Sequence, residues 1–293
     1  MEKGLIVKSL GGFYYVKLAD GRVISCRAKG GFRNSGETPF VGDTVDIRIV
    51  SEELLEGYVE KIYPRKNKIV RPPVANIDRL IIVSALKSPA PDTVFIDKMT
   101  VMCEHYGITP VLCFNKTDLK SGEKLAEQYK GTGYKIYLTS AGEGRGIDEL
   151  KEIIGEGITA VAGFSGVGKS SILNKIKNEE ISETGSVSKK LSRGKHTTRH
   201  TELFELKENC YIADTPGFSG LSIETLTKEE LPSLFTEFKK YASECRFCDC
   251  VHMGEKDCGI KNAVAEGKIA SSRYESYVNF YNVLKEINDW ERK

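Results

Sequence analysis

The sequence predicts a multidomain chain of β and α/β parts: a small β-barrel over residues 1–72, a mostly parallel α/β domain over 73–221, and a cysteine-bearing helical region over 222–293. Three observations predict it. The first seventy residues read as short strands broken by glycine and aspartate turns. From residue 78, apolar runs ending in small or polar residues alternate with helical patterns, which implies a parallel sheet with ligand loops at its carboxyl edge. Beyond residue 222 the pattern turns helical, with four cysteines and a histidine set into residues 245–258.

The barrel comes first along the chain. The run GLIVKSLGGFYYVKLADGRVISCRAKG breaks at Gly11-Gly12 and at Ala19-Asp20-Gly21, and FVGDTVDIRIV and GYVEKIYPRKNKIV add further strands. Four or five short strands in this length suggest a closed barrel, and the OB-fold is the commonest with such spacing. Residues 1–72 carry 13 Lys+Arg against 9 Asp+Glu, a local excess of positive charge suited to RNA. Phe13, Tyr14 and Tyr15 offer stacking faces or, as aromatics in a strand more often do, half of a core. Arg71-Pro72-Pro73 reads as a linker into the next domain.

Within the middle domain, RLIIVSA, PVLCFNKTD, KIYLTSA, ITAVAGFSG and CYIADTPG are the apolar runs, and a helix is expected from Val94 to Tyr106. One run ends in Gly163-Phe164-Ser165-Gly166-Val167-Gly168-Lys169-Ser170, a full G-x-x-x-x-G-K-[ST] match between a predicted strand (Ile158 to Ala162) and a predicted helix (Ser171 to Lys177). Glycines let such a loop wrap a phosphate with backbone N–H groups pointing inward, and the helix start adds partial positive charge. Lys169 would bridge the β- and γ-phosphates and the Ser170 hydroxyl would coordinate Mg²⁺.

Guanine is the base this site would select. Asn115-Lys116-Thr117-Asp118 reads N-K-x-D at a strand end. The Asp118 carboxylate can accept from the N1–H and N2 amine of guanine, a donor pair adenine lacks, and a buried carboxylate left unpaired rejects adenine. Lys116 would lie along the base and Asn115 would tie the loops together. Thr139-Ser140-Ala141 fits the companion loop that meets the guanine oxygen. N-K-x-D by itself occurs by chance; beside a complete phosphate loop it specifies a GTP site.

Asp214-Thr215-Pro216-Gly217 ends another run as D-x-x-G. Asp214 would hold Mg²⁺ through a water and the Gly217 N–H would reach the γ-phosphate. Before it lies Arg193-Gly194-Lys195-His196-Thr197-Thr198-Arg199-His200, where Thr198, or its neighbour Thr197, would close on Mg²⁺. The five cations Lys189, Lys190, Arg193, Lys195 and Arg199 are either a solvated face or an RNA-facing surface. Phe218 stands where many GTPases place a water-orienting glutamine. Intrinsic turnover should therefore be slow, with His196 the nearest candidate for handling the water, or equally a contact to RNA phosphate.

The order of these motifs is itself informative. In an ordinary GTPase the phosphate loop comes first; here N-K-T-D and T-S-A precede it, so the site is circularly permuted, a rewiring tolerated when the original termini lie close together. Cys245-x₄-Cys250-x-His252-x₅-Cys258 then offers the soft tetrahedral set that Zn²⁺ prefers in a closed structural site, with Cys248 a spare. Cys26, Cys103, Cys113 and Cys210 read as core, and His105 as structural. The 43 Lys+Arg nearly balance 41 Asp+Glu. No apolar run reaches a membrane-spanning length, and Gly11, Gly12 and Lys17 interrupt any secretory leader. A cytoplasmic protein with thiols free or metal-bound is expected.

Taken in order, N-K-T-D, T-S-A, G-F-S-G-V-G-K-S, G-K-H-T-T-R, D-T-P-G and C-x₄-C-x-H-x₅-C resemble the circularly permuted, small-ribosomal-subunit-dependent GTPases of bacteria, over essentially the whole chain. The resemblance implies an OB-fold, a permuted GTPase domain and a C-terminal zinc domain. It implies GTP hydrolysis stimulated by the small subunit late in its maturation, contact with its rRNA, one structural Zn²⁺, and Mg²⁺ with GTP. It places nucleotide contacts at Asn115, Lys116, Asp118, Gly163 to Ser171 and Asp214 to Gly217, and zinc on Cys245, Cys250, His252 and Cys258. Departures are small: Cys248 stands inside the metal loop, and Arg199 follows the paired threonines. A monomer is the default for a factor that docks on a large particle. A nucleotide-gated binding module in which hydrolysis is incidental is the competing reading. A P-loop metabolic kinase would use adenine, which N-K-T-D argues against.

Overall fold

The structure, a computed structural model, describes residues 1–30, 32, 37–184, 201–214 and 221–287. In chain order the strands are β1 (Glu2–Leu10), β2 (Phe13–Leu18), β3 (Val23–Ala28), β4 (Thr44–Ser51), β5 (Glu56–Ile62), β6 (Lys68–Ile69), β7 (Val74–Ala75) and β8 (Ile77–Ala85). Helix α1 (Thr93–Tyr106), β9 (Thr109–Asn115), α2 (Glu123–Gln128), β10 (Lys135–Thr139), α3 (Ile147–Glu152), β11 (Gly157–Ala162) and α4 (Lys169–Thr184) follow. The chain closes with β12 (Glu202–Lys207), β13 (Cys210–Asp214), α5 (Leu231–Leu234), α6 (Gly259–Ala265) and α7 (Ser271–Glu286). Its contacts divide into two compact units, residues 1–80, 150–162 and 173–218 in the first, and 81–149, 163–172 and 219–293 in the second.

The first unit contains the barrel. β1, β2 and β3 pair antiparallel in sequence; β3 runs parallel to β5, β5 antiparallel to β4, and β4 returns to β1. That closure removes every free edge and is the OB-type arrangement. Alternation puts Ile6, Val16, Ile24, Val45, Ile47 and Val59 fully inside. Tyr14 and Tyr15 are half-buried, and the Arg27 guanidinium lies 4.7 Å from the Phe13 ring. Asp43 is wholly buried and accepts from the Phe40 N–H and from Arg65 at 2.6 Å. Arg71-Pro72-Pro73 is not a free linker but the turn of a two-stranded ladder, Lys68↔Ala75 and Ile69↔Val74. β11 runs parallel to β13, which pairs antiparallel with β12, and Glu202 of β12 meets Lys8 of β1.

In the second unit β9 and β10 are parallel, register Val111↔Lys135 to Asn115↔Thr139. α1 begins one residue before the expected Val94 because the Asp92 carboxylate caps the Phe95 N–H at 2.9 Å. It ends at Gly107, left-handed at φ 65°, whose N–H bonds the Cys103 and Glu104 carbonyls. His105 sits in its last turn, Nδ1 3.3 Å from Glu230. Cys103 and Cys113 are buried, and desolvation holds the Cys113 thiol up at about 12. Among the described residues no helix is long and apolar enough to cross a membrane.

A buried ion triad locks α7 to α1. Arg273 is 1 % exposed; its Nη1 donates to Asp97 Oδ1 at 2.8 Å, and its Nε and Nη2 to the Glu237 carboxylate at 2.7 and 3.1 Å. The Tyr129 hydroxyl donates to the same Asp97 oxygen. Burial pushes the Asp97 carboxyl upward against the pull of Arg273. Burial also opposes the Arg273 charge, and the two carboxylates overcome it, holding the guanidinium above its ordinary range. Removing the cation strands two buried carboxylates. Arg273→Met should therefore cost ~3–5 kcal/mol in urea unfolding, whereas a loss below ~1 kcal/mol would mean the triad is solvated in solution.

Candidate functional site

The phosphate-loop residues and both base loops fall in the second unit. Gly163, where β11 hands over to the loop, has φ 147°, and a Cβ there would overlap the Val83 carbonyl. Gly168 has φ 101°, and a Cβ there would overlap the Asn115 side-chain amide. Only glycine meets both demands, a left-handed or open φ and a close backbone approach. Lys169 opens α4, its Nζ donating to the Gly163 and Phe164 carbonyls at 2.7 Å each, which pins the ammonium to the loop it would serve. Ser170 and Ser171 follow in the first turn of α4. Phe164 is exposed and leans on Phe95, ring centroids 4.3 Å apart. Val167 is buried beneath the loop.

Asn115, 2 % exposed, joins three loops. Its Nδ2 donates to the Val167 carbonyl at 2.9 Å, and its Oδ1 accepts from the Ala141 N–H at 3.1 Å and the Thr139 hydroxyl at 3.2 Å. The Thr117 N–H bonds the Thr139 carbonyl at 3.0 Å, and Ser140 exchanges both backbone hydrogen bonds with Arg145, closing the companion loop. Ser140 Oγ donates to Asp118 Oδ1 at 2.6 Å, fixing one oxygen of the carboxylate expected to read the base. Asp118 is exposed rather than buried as the sequence reading assumed, because it lies past the end of β9, where a base can reach it. Lys116 adopts φ 70° and donates to the Ser88 carbonyl. That carbonyl carries no sequence signal of its own.

Other expected residues lie elsewhere. Asp214 closes β13 in the first unit, opposite Glu202, and its side chain lies outside the described residues. Gly217, His196, Thr197, Thr198 and Phe218 also lie outside them.

Residues 245–258 gather four donors. Cys245 Sγ, Cys250 Sγ, a His252 ring nitrogen and Cys258 Sγ lie within 4.8 Å of one another, a set able to hold a metal ion. Cys248, the spare, is exposed and outside the group. The loop is built from surrounding polar groups that sequence patterning missed. Glu255 accepts from the Val251 and Met253 N–H groups at 2.8 Å, and the Tyr274 and Tyr277 hydroxyls donate to the His252 and Val251 carbonyls at 2.7 and 2.6 Å. Burial lowers the His252 pKa, which favours the neutral imidazole a metal needs. Desolvation raises the Cys250 thiol to about 12, a shift that a bound cation would reverse.

Known proteins resemble the chain over its full length. The RsgA GTPase family model matches residues 62–224 and the RsgA N-terminal domain model residues 3–59. Proteins named small ribosomal subunit biogenesis GTPase RsgA are similar: that of Agathobacter rectalis is 43% identical over 96% of this chain and 98% of its own. That of Caldanaerobacter subterraneus is 44% identical over 99% and 97%. Among solved structures, YjeQ from Thermotoga maritima matches with TM-score 0.83 at 36% identity, covering 98% of this chain and 99% of that one. YloQ, described as a circularly permuted GTPase, matches with TM-score 0.80 at 35% identity, covering 98% and 96%.

The Asn115 tie is testable. Gly168→Ala would drive a methyl into the Asn115 amide, and overpacking of this kind should weaken guanine-nucleotide binding roughly tenfold or more. Titration with a fluorescent GTP analogue measures it; unchanged affinity would show that the loops are not braced through Asn115.

Proposed function

The chain belongs to the RsgA GTPase family, and from that premise we propose that it is a GTP hydrolase serving as a late assembly factor of the small ribosomal subunit, stimulated by that particle and in contact with its rRNA. The observation that carries the reading is Asn115 bracing the phosphate loop and the guanine-reading loops together although 52 and 26 residues separate the partners. On this reading Asn115, Lys116, Thr117, Asp118, Ser140 and Ala141 recognise the base. Gly163, Phe164, Ser165, Gly166, Val167, Gly168, Lys169, Ser170 and Ser171 cradle the phosphates, and Asp214 and Gly217 are assigned by their D-x-x-G motif. When bound with GTP, Mg²⁺ would neutralise phosphate charge, held by Ser170 and, through water, Asp214. The functional domains are 1–72, 73–221 and 222–293, and the protein works as a cytoplasmic monomer.

Chemistry follows from what each group can do. Lys169 supplies a fixed positive charge to the phosphates, and the backbone donors of the loop add to it without reorganising. Phe218 cannot orient water, so turnover waits for a partner, with Thr198 closing the site and His196 managing the proton. The same Phe218 supports the second reading, a nucleotide-gated ribosome-binding module in which hydrolysis is incidental. A hydrolysis-dead variant that still binds GTP and restores subunit maturation would favour that module.

Zinc is the metal we assign to the cluster. At Zn–S distances of about 2.3 Å a tetrahedral site sets sulfurs about 3.8 Å apart. Cys245 and Cys258 sulfurs stand 3.9 Å apart, and His252 Nδ1 is 3.6 and 3.4 Å from them. All four positions are filled by protein, so the role is structural.

Three outcomes check the proposal. GTP hydrolysis should be slow alone and strongly raised by added small subunits, and Lys169→Ala should abolish both; a rate indifferent to the subunits would sink the activation claim. His196→Ala should lower the stimulated kcat by roughly 10²- to 10⁴-fold with GTP affinity unchanged; a rate within twofold of wild type removes His196 from catalysis. Cys258→Ser, or chelation, should release one zinc per chain by metal analysis and lower the thermal midpoint; zinc-free protein with an unshifted midpoint rules the structural ion out.

A further inference from the structure

The barrel has a second character at one end. Leu54 and Leu55, in the β4–β5 loop, are 68% and 38% exposed, with Val50 at 50% on β4 and Val23 at 41% on β3, the strand paired to β5. The loop is a fixed shape. Ser51 Oγ accepts from the Leu54 N–H at 3.1 Å, and the Leu55 carbonyl, at a residue of φ 52°, accepts from Ser25 N–H at 2.8 Å. Single exposed aliphatics are ordinary on a protein surface; four held at one end of a barrel form a patch that the described residues leave exposed.

Charge then selects the partner. Arg22 reaches Glu2, Asp20 and Glu52 together, three carboxylates for one guanidinium, and Glu53 in the β4–β5 loop and Glu56 at the start of β5 are exposed. Such an end repels nucleic-acid phosphate and an anionic membrane surface. A twofold contact with another copy would oppose the same carboxylates. A cationic protein surface with an apolar centre suffers none of these penalties and matches both the leucines and their acidic rim. We infer that the β4–β5 end of the barrel docks on a basic protein component of the ribosomal particle while other faces of the barrel meet RNA. This inference rests on the ribosomal reading above.

The test measures binding of the full-length protein to intact small subunits and, separately, to rRNA stripped of protein. Two double variants are compared: Leu54→Ser with Leu55→Asn, which keeps a residue tolerant of positive φ, and Glu53→Lys with Glu56→Lys, which leaves the Arg22 contacts in place. Both should lose roughly tenfold in affinity for intact subunits, with basal GTP hydrolysis unchanged. On stripped rRNA the leucine pair should bind as wild type and the lysine pair as well or better. Intact-subunit affinity within twofold of wild type for both, or raised in the lysine pair, overturns the inference, the latter because it would place RNA at this end. If the serine–asparagine variant loses the barrel by circular dichroism, the lysine pair decides alone. Wild-type protein that fails to bind subunits overturns the ribosomal reading, and this inference with it.

Discussion

Asn115 carries the constraint on which the proposed nucleotide site depends. A primary amide has two donor hydrogens and two acceptor lone pairs, and this one spends a donor on Val167 and both acceptor directions on Ala141 and Thr139. Buried at 2 % exposure, it cannot exchange those partners for water, so each is held at full strength. Gly168 has no side chain because the amide occupies its Cβ space. Chain order is irrelevant to such a tie: what must be satisfied is the geometry of three loops past the ends of strands. A permuted sequence can therefore assemble this bracing, provided its strands keep their neighbours.

The C-terminal part of the second unit is held by a different logic. Residues 221–287 set one long helix, α7, among short helices and single turns, around buried Leu231, Phe235, Phe238, Tyr277 and Leu284. Two polar devices add to that core. Arg273 ties α7 to Asp97 on α1 and to Glu237, and the aromatic rings of Phe235, Phe238 and Tyr277 pack around that knot at 5.0 to 5.4 Å. The loop that gathers Cys245, Cys250, His252 and Cys258, a set able to hold a metal, is the second device, with the Tyr274 and Tyr277 hydroxyls reaching from α7 to its carbonyls. One helix thus serves both, which is why α7 is amphipathic in an unusual way, with a buried arginine amid buried aromatics.

Much of this was legible in the sequence, and the illegible parts share a cause. The phosphate loop, N-K-T-D, T-S-A and the Cys/His spacing are local patterns whose chemistry requires those residue types at those offsets. The barrel was legible because strand alternation and Gly-Asp turns are local too. Arg273 was not: it meets Asp97 across 176 residues, and an arginine in a polar helix reads by default as a solvated face. The Ser88 carbonyl that seats Lys116 is backbone, and Glu255 and the two tyrosine hydroxyls act on backbone groups, so side-chain patterns do not announce them. Arg71-Pro72-Pro73 misled because prolines suit a tight turn as well as a linker. Asp118 was expected buried because its role needs desolvation, which a bound base itself would provide.

On the proposed reading nucleotide and fold would be coupled through these ties, and magnitudes decide how far. A ligand that touches loops braced only in the native state stabilises that state by RT ln(1 + [L]/Kd), about 2.7 kcal/mol at a hundredfold excess over Kd. A cap or surface contact, worth about 1 kcal/mol, is therefore readily masked by saturating GTP. The Arg273 triad is not, since stranding its carboxylates costs ~3–5 kcal/mol. At that hundredfold excess the Arg273 triad therefore holds more stability than a bound nucleotide would add. On the proposed reading, that difference would let the loops around Asn115 respond to nucleotide while Arg273 keeps α7 on α1.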